Sequence, residues 1–488
     1  MAVHSLQAAC LLPSSGSEQV QTGVTIRYDE AKIHAVETGR PERAGEGRTL
    51  ILAPFANAHD HGRGLKTLAY GVPDQAVESW VAATYSLPAV DPYLVAAAAF
   101  ARMARSGIGS VVHCHLSRDP QTLLREAQAV SRAAREVGIR VAFVVPLRDR
   151  HRLAYADDEA VLAHMDAGDA ELTRRRLKPI APIAEQLAVA DAIAEICESE
   201  LFQVQFGPVG VEWCSNPLLE QVAARSAAGG RRVHMHLLES KYQREWADHA
   251  FPQGIVNHLD AIGLLSPRLT VAHGTWLRPD ECALLAARGV IVSINTSSNL
   301  RLRSGIAPLP QIHAAGLDFA IGLDALALDD DDDLLREMRL THLLHAGTGF
   351  DQALHRSTIL HAASRNGARA ASCCGGDGEI AAGGPADMLL LNLDDVAQDL
   401  VPDLCDIPSI LHARATASSV RSLIVAGRTV LDDGRLTGID EAAVRSALNA
   451  ELRRHAPELA RQVPDMERYR AALERFYRAG EHRTSVRN

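Results

Sequence analysis

The sequence predicts an α/β fold built on a (β/α)8 barrel. Short apolar runs alternate with Ala-, Leu- and Arg-rich helical stretches, and the runs number eight. Histidines and acidic residues gather where those runs end, the edge at which barrels of this kind carry their chemistry.

The elements follow in chain order. Residues 1 to about 50 carry short strand-like runs such as Gly23-Val24-Thr25-Ile26-Arg27-Tyr28, broken by Gly, Ser and Glu. The first barrel run, Leu50-Ile51-Leu52-Ala53-Pro54-Phe55, leads into His59-Asp60-His61. The next runs end at Val111-Val112-His113-Cys114-His115, Val141-Ala142-Phe143-Val144-Val145-Pro146 and Val204-Gln205-Phe206-Gly207-Pro208. Then come Val233-His234-Met235-His236, Leu269-Thr270-Val271-Ala272-His273, Val290 to Asn295, and Phe319 to Asp324. Between the third and fourth, roughly 157 to 200 reads as a long or doubled helix that Pro179 and Pro182 interrupt. Past 375, Gly-rich turns separate the strands Met388-Leu389-Leu390-Leu391 and Ser422 to Arg428, and the last 50 residues read as a polar helix.

Composition excludes several classes. With 47% hydrophobic and 23% charged residues over 488 positions, the chain is ordinary for a globular enzyme. A net charge of −10 argues against nucleic acid as the main partner. No apolar run is long enough to span a bilayer, and no signal peptide is evident at Met1-Ala2-Val3-His4-Ser5. The eight scattered cysteines form no Cys-x-x-Cys pair, and the adjacent Cys373-Cys374 suit a disulfide poorly, so reduced thiols and a cytoplasmic location are expected.

The strand-end residues carry the chemistry. Residues two apart on a strand face the same way, so His59 and His61 offer two imidazoles on one face. With His236 from strand five and Asp324 from strand eight they supply four ligands, enough for a catalytic divalent metal with an open position. Zinc is the first expectation, with iron or manganese as alternatives. Glu239, three residues after His236, suits a general acid/base. Competing readings are a helix cap for Asp324 and a satisfied core histidine for His273; Asp329 to Asp333 read as the cap of a helix from Leu334. His234 reads as an interior hydrogen-bonding residue, and His113 and His115 as pocket-lining or packing residues. Arg63 and Lys66 are candidates for a substrate carbonyl or carboxylate; Glu212 and Trp213 are candidates for the edge and face of a flat heterocycle.

Several motifs together resemble the amidohydrolase superfamily, in its cytosine deaminase-like and chlorohydrolase-like branch. They are Pro54-Phe55-Ala56-Asn57-Ala58-His59-Asp60-His61, His236-Leu237-Leu238-Glu239, Ala272-His273-Gly274, Ser298 to Pro308, Gly322-Leu323-Asp324, Gly384-Pro385-Ala386-Asp387 and Val420 to Arg428. The resemblance implies metal ligands His59, His61, His236 and Asp324, a proton shuttle at Glu239, and His273 orienting the attacking hydroxide. It implies a β-sandwich from residues 1–50 and 378–440, a barrel over 51–377 and a helical segment over 441–488. Two departures stand out. The family's Gly-Thr-Asp reads Gly322-Leu323-Asp324, which removes a hydroxyl beside the aspartate. The bridging lysine of two-metal relatives is missing from Gly207-Pro208-Val209-Gly210, which favours one metal.

The expected function is metal-dependent hydrolysis of C–N bonds other than peptide bonds, foremost deamination of a small nitrogen heterocycle or amidine. Dechlorination, dealkylamination and cyclic-amide hydrolysis use nearly the same site, and an inactive scaffold is the remaining alternative. The expected partners are a small nitrogen-containing substrate and further copies of the chain, with neither nucleic acid nor membrane.

Overall fold

Every residue of Phe55–Asp60 is buried, as befits a strand with a filled barrel interior on one face and helices on the other. The structure, a computed structural model, describes residues 3–16, 18–39, 48–85, 87–117, 119–371, 378–401 and 404–483. Cys373 and Cys374 lie outside the described residues.

Eight strands form one parallel sheet in chain order: Phe55–Asp60, Ile108–Cys114, Arg140–Leu147, Phe202–Pro208, Val233–Leu237, Leu269–His273, Ile291–Ile294 and Asp318–Ile321. The second to eighth expected runs are these barrel strands, but the first is not: Leu50 to Leu52 belongs to a strand of the other sheet, and barrel strand one is Phe55–Asp60. The first and last meet without a regular ladder. The Asp324 N–H donates to the His59 carbonyl at 2.9 Å, and the Leu323 N–H to Asn57 Oδ1 at 3.0 Å. Closure therefore draws Asp324 directly over His59.

The excursion between strands three and four is three helices, Asp158–Leu162, Ala167–Arg176 and Ile183–Cys197, where one long or doubled helix was expected. Asp166 caps the second by accepting the Asp169 N–H, and Pro182 occupies the cap position of the third. A proline lacks the N–H that a helix interior needs, so the break falls there.

The two chain ends meet in a second eight-stranded sheet, ordered Arg435–Leu436, Arg428–Asp432, Val420–Val425, Met388–Asn392, Thr49–Leu52, His4–Leu11, Gln21–Tyr28 and Ile33–Glu37. Leu11, Ile26, Ile33, Ile51, Met388 and Ile424 form its own apolar cluster. The run Ser422 to Arg428 is a strand plus a tight turn: Ala426 and Gly427 both have positive φ, 50° and 70°, which matches a hairpin turn between twisted strands. Buried Asp387 ties this sheet to the barrel. It receives the Arg140 guanidinium at 2.7 Å from strand three and the Ala426 N–H at 2.7 Å.

The C-terminal helix, Glu441–Ala479, begins at Asp440, which accepts the Ala443 N–H at 2.9 Å. Its far end buries Leu473, Phe476 and Tyr477. Tyr477 packs on Tyr155 and Tyr242, with centroids 5.5 and 4.8 Å away. Among the described residues no helix is long and apolar enough to cross a membrane.

Candidate metal centre

Strand ends one, five, six and eight bring five side chains together. One ring nitrogen each from His59, His61 and His236 lie within 4.8 Å of one another, and so do His59, His273 and Asp324. Asp324 Oδ1 stands 3.2 Å from Nε2 of His59 and 3.2 Å from Nε2 of His61. The His61 and His236 rings are stacked, 5.6 Å apart and 8° from parallel. Two non-glycine residues here have left-handed backbone, His273 at φ 74° and Asp324 at φ 53°, a conformation that costs energy and collects at functional sites.

Backbone carbonyls fix the protons. His61 Nδ1 lies 2.8 Å from the Cys114 carbonyl, and His236 Nδ1 lies 2.7 Å from the Val209 carbonyl. A carbonyl can only accept, so each Nδ1 carries the hydrogen and each Nε2 keeps its lone pair. His59 Nε2 is buried without a hydrogen-bond partner among the described residues. The carboxylate oxygen of Asp324 thus faces imidazole lone pairs across a buried space, an arrangement that repels itself unless a cation lies between. Two ligands at about 2.0–2.1 Å from one tetrahedral ion stand roughly 3.3 Å apart. The observed 3.2 Å separations fit a divalent metal.

The electrostatics agree. Burial pushes His59 down to about 4 against the pull of Asp324, and burial with the neighbouring imidazoles holds His236 well below the usual range.

Glu239 lies beside this group, its Oε2 3.8 Å from His273 Nε2. Burial, then Asp324 and Glu78, raise its carboxyl well above the usual value. The Ser304 hydroxyl donates to Glu239 Oε1 at 3.4 Å.

Two supports were not read from the sequence. Asn299 Oδ1 accepts from His273 Nδ1 at 2.9 Å, and the Ser298 hydroxyl donates to Asp324 Oδ2 at 2.5 Å. Ser298 supplies the hydroxyl that Leu323 lacks. Their adjacency in a quoted motif was the available signal.

The remaining candidates fall in different places. Asp60 accepts from Asn57 Nδ2 and the Gly62 and Ala325 N–H groups, bracing strand one against the loop after strand eight. Lys66 is committed to Asp332 and to the Ala325 carbonyl at 3.1 Å, so it does not reach for substrate. Arg63 lies over the Trp80 ring at 4.8 Å. His113 Nε2 meets His115 Nδ1 at 3.2 Å, and His115 Nε2 meets Glu126 at 2.8 Å, which occupies both His115 nitrogens. Asp333 caps the helix Leu334–His345. Glu212 and Trp213 lie on the 3-10 turn after strand four. Buried Glu212 is pushed up to about 8 by burial, and its Oε1 has no partner among the described residues. Trp213 meets Tyr155 edge-on at 5.6 Å. Tyr155 and Ser240 both donate to buried Glu78, a group sequence reasoning missed.

The fold and the site together make a parallel barrel whose strand ends gather histidines and a carboxylate that could hold a metal ion. The Amidohydrolase family model matches residues 50–430, and the chain belongs to that family. It is 32% identical over 243 residues to a 5'-deoxyadenosine deaminase of Methanosarcina barkeri, covering 50% of this chain and 55% of that one. It is 35% identical over 248 residues to a 5-methylthioadenosine/S-adenosylhomocysteine deaminase of Nitratidesulfovibrio vulgaris, covering 51% and 55%. The chain thus spans about half the length of these curated relatives. Among solved structures, an adenosine deaminase from Xanthomonas campestris with bound zinc matches with a TM-score of 0.74 at 22% identity, covering 93% and 98%. An atrazine chlorohydrolase from Arthrobacter aurescens complexed with zinc matches at 0.75 and 20%, covering 92% and 99%. These two share the fold.

Proposed function

We propose that the protein is a metal-dependent aminohydrolase that replaces an amino group on a small nitrogen heterocycle or amidine with oxygen, releasing ammonia. The carrying observation is the convergence of His59, His61, His236 and Asp324, with Glu239 and His273 at its margin. The deaminases among the relatives support the reaction class, and the zinc-bearing neighbours support zinc as the ion. A divalent ion held there lowers the pKa of a water from 15.7 towards about 7. The scattered cysteines, with no Cys-x-x-Cys pair, support a reducing, cytoplasmic setting.

The chain's own residues move the protons. The water oxygen bonds to the C=N carbon while its proton passes through Glu239 to the ring nitrogen. Burial raises the Glu239 carboxyl above its usual range, which suits a group that takes a proton and then returns it. Asp324, an acceptor, suits the hydrogen that the attacking oxygen still carries, and His273, oriented by Asn299, would flank that oxygen. The second proton then reaches the amine, the C–N bond breaks and ammonia leaves. Glu212 offers an acceptor to a ring N–H, and Trp213 a face to the ring.

An ammonia-release screen over purines, pyrimidines, triazines and pterins tests this, starting with 5'-deoxyadenosine and 5-methylthioadenosine. Turnover of at least one ring amine is expected. If the best substrate is a peptide, a phosphate ester or a lactone, the deaminase reading fails.

A further inference from the structure

We infer that His234 is a positioning residue for the metal group: its Nε2 accepts the Nδ1–H of His59 and so keeps the His59 lone pair on Nε2, facing Asp324. The inference rests on the reading of His59 as a metal ligand. The other two imidazoles have their protons set by carbonyls, but His59 has none. Its Nδ1 instead meets His234 Nε2 at 2.8 Å, with both rings fully buried. The ring planes lie within 9° and the centroids 5.0 Å apart, about the separation of two coplanar rings joined edge to edge by one hydrogen bond.

One proton lies between those nitrogens, and the geometry says whose it is. If His234 donated, His59 would carry its hydrogen on Nε2 and point it at Asp324. As a metal ligand His59 must keep its lone pair on Nε2, which lies 3.2 Å from Asp324 Oδ1, the spacing of two ligands on one ion. The hydrogen therefore resides on His59 Nδ1, and His234 carries its own on Nδ1. That atom too is buried without a partner among the described residues. The orphaned N–H is a cost that the fold bears to hold His59 in the ligating tautomer.

A second metal is the competing explanation, because Cys114 Sγ is 3.3 Å from the same Nδ1 and the three side chains resemble a ligand set. Spacing decides against it. A separation of 2.8 Å is a hydrogen-bond length, whereas two nitrogens on one tetrahedral ion stand roughly 3.3 Å apart.

The test compares the full-length parent with His234→Leu and His234→Gln, whose amide oxygen reaches about as far as the lost Nε2. Each metal-free protein is titrated with cobalt(II) against a chelator, the visible spectrum is recorded, and metal-free melting is measured. His234→Leu should bind the metal 10- to 100-fold more weakly with an altered spectrum, at near-parental metal-free melting. His234→Gln should recover affinity to within a few-fold, with the parental spectrum. If Leu does not fold, Gln decides alone: parental affinity supports the role, and a loss of tenfold or more overturns it. Parental affinity and spectrum in Leu also overturn it, as does a second cobalt ion lost in Cys114→Ser. A parent that binds no cobalt would instead sink the metal reading itself.

Discussion

Hydrogen direction at single atoms carries much of the argument at the residue scale. Because carbonyls of Cys114 and Val209 hold the Nδ1 hydrogens of His61 and His236, the opposite nitrogens are free to ligate. Glu239→Gln keeps the shape but cannot shuttle protons, so turnover should fall by roughly 10²- to 10⁴-fold or more while metal content stays at the parental level. Activity within a few-fold of the parent would remove Glu239 from its role. His273→Ala should retain the metal and lose most activity, since His273 is held by Asn299 and faces Glu239. A variant that purifies without metal would make His273 a ligand. His61, His236 and His273 were legible in the sequence because each ends a recognisable apolar run, and Glu239 from its place three residues after His236. Glu78 and Tyr155 were not, because they meet from segments 77 positions apart with no periodic signal. The competing roles of Lys66 were equally hidden: its partner, Asp332, lies 266 positions away.

At the scale of elements, strand identity follows from apolar runs, but the manner of joining does not. Seven runs marked barrel strands, since continuous burial on both faces leaves a continuous apolar signature, but strand one, Phe55–Asp60, carries Asn57, His59 and Asp60 and was masked by the apolar Leu50–Leu52 of the other sheet. The three-piece excursion after strand three was only half visible, because caps such as Asp166 look like any surface aspartate. The motif Gly384-Pro385-Ala386-Asp387 was recognisable, but its physical purpose emerges only in three dimensions: Asp387 joins the terminal sheet to barrel strand three. Arg140→Met should leave that carboxylate buried without its cation, costing about 3–5 kcal/mol of stability. The urea midpoint measures this. An unchanged midpoint would show that the pair contributes nothing to joining the two sheets.

For the whole molecule, a buried roof near Glu239 is assembled from distant parts: Glu78 after strand one, Tyr155 after strand three, Glu212 after strand four and Tyr477 from the C-terminal helix. Such a roof places ionisable groups in a dry setting, and its pH dependence follows. Glu212 rises from the ordinary value of 4.5 to about 8. A raised folded-state value means the folded chain binds the extra proton, so the stability it contributes is complete below 4.5 and lost as pH rises through about 8. Glu212→Gln should therefore gain in melting temperature relative to the parent as pH goes from 5 to 8. A difference that stays flat, or shrinks, would place Glu212 in water. The central claim is that the four strand-end residues hold one divalent metal, and elemental analysis of the purified, active protein tests it most directly. About one divalent ion per chain is expected, retained in Glu239→Gln and lost when His61 and His236 are both replaced by alanine. Two ions per chain, or fully active protein with none, would contradict it.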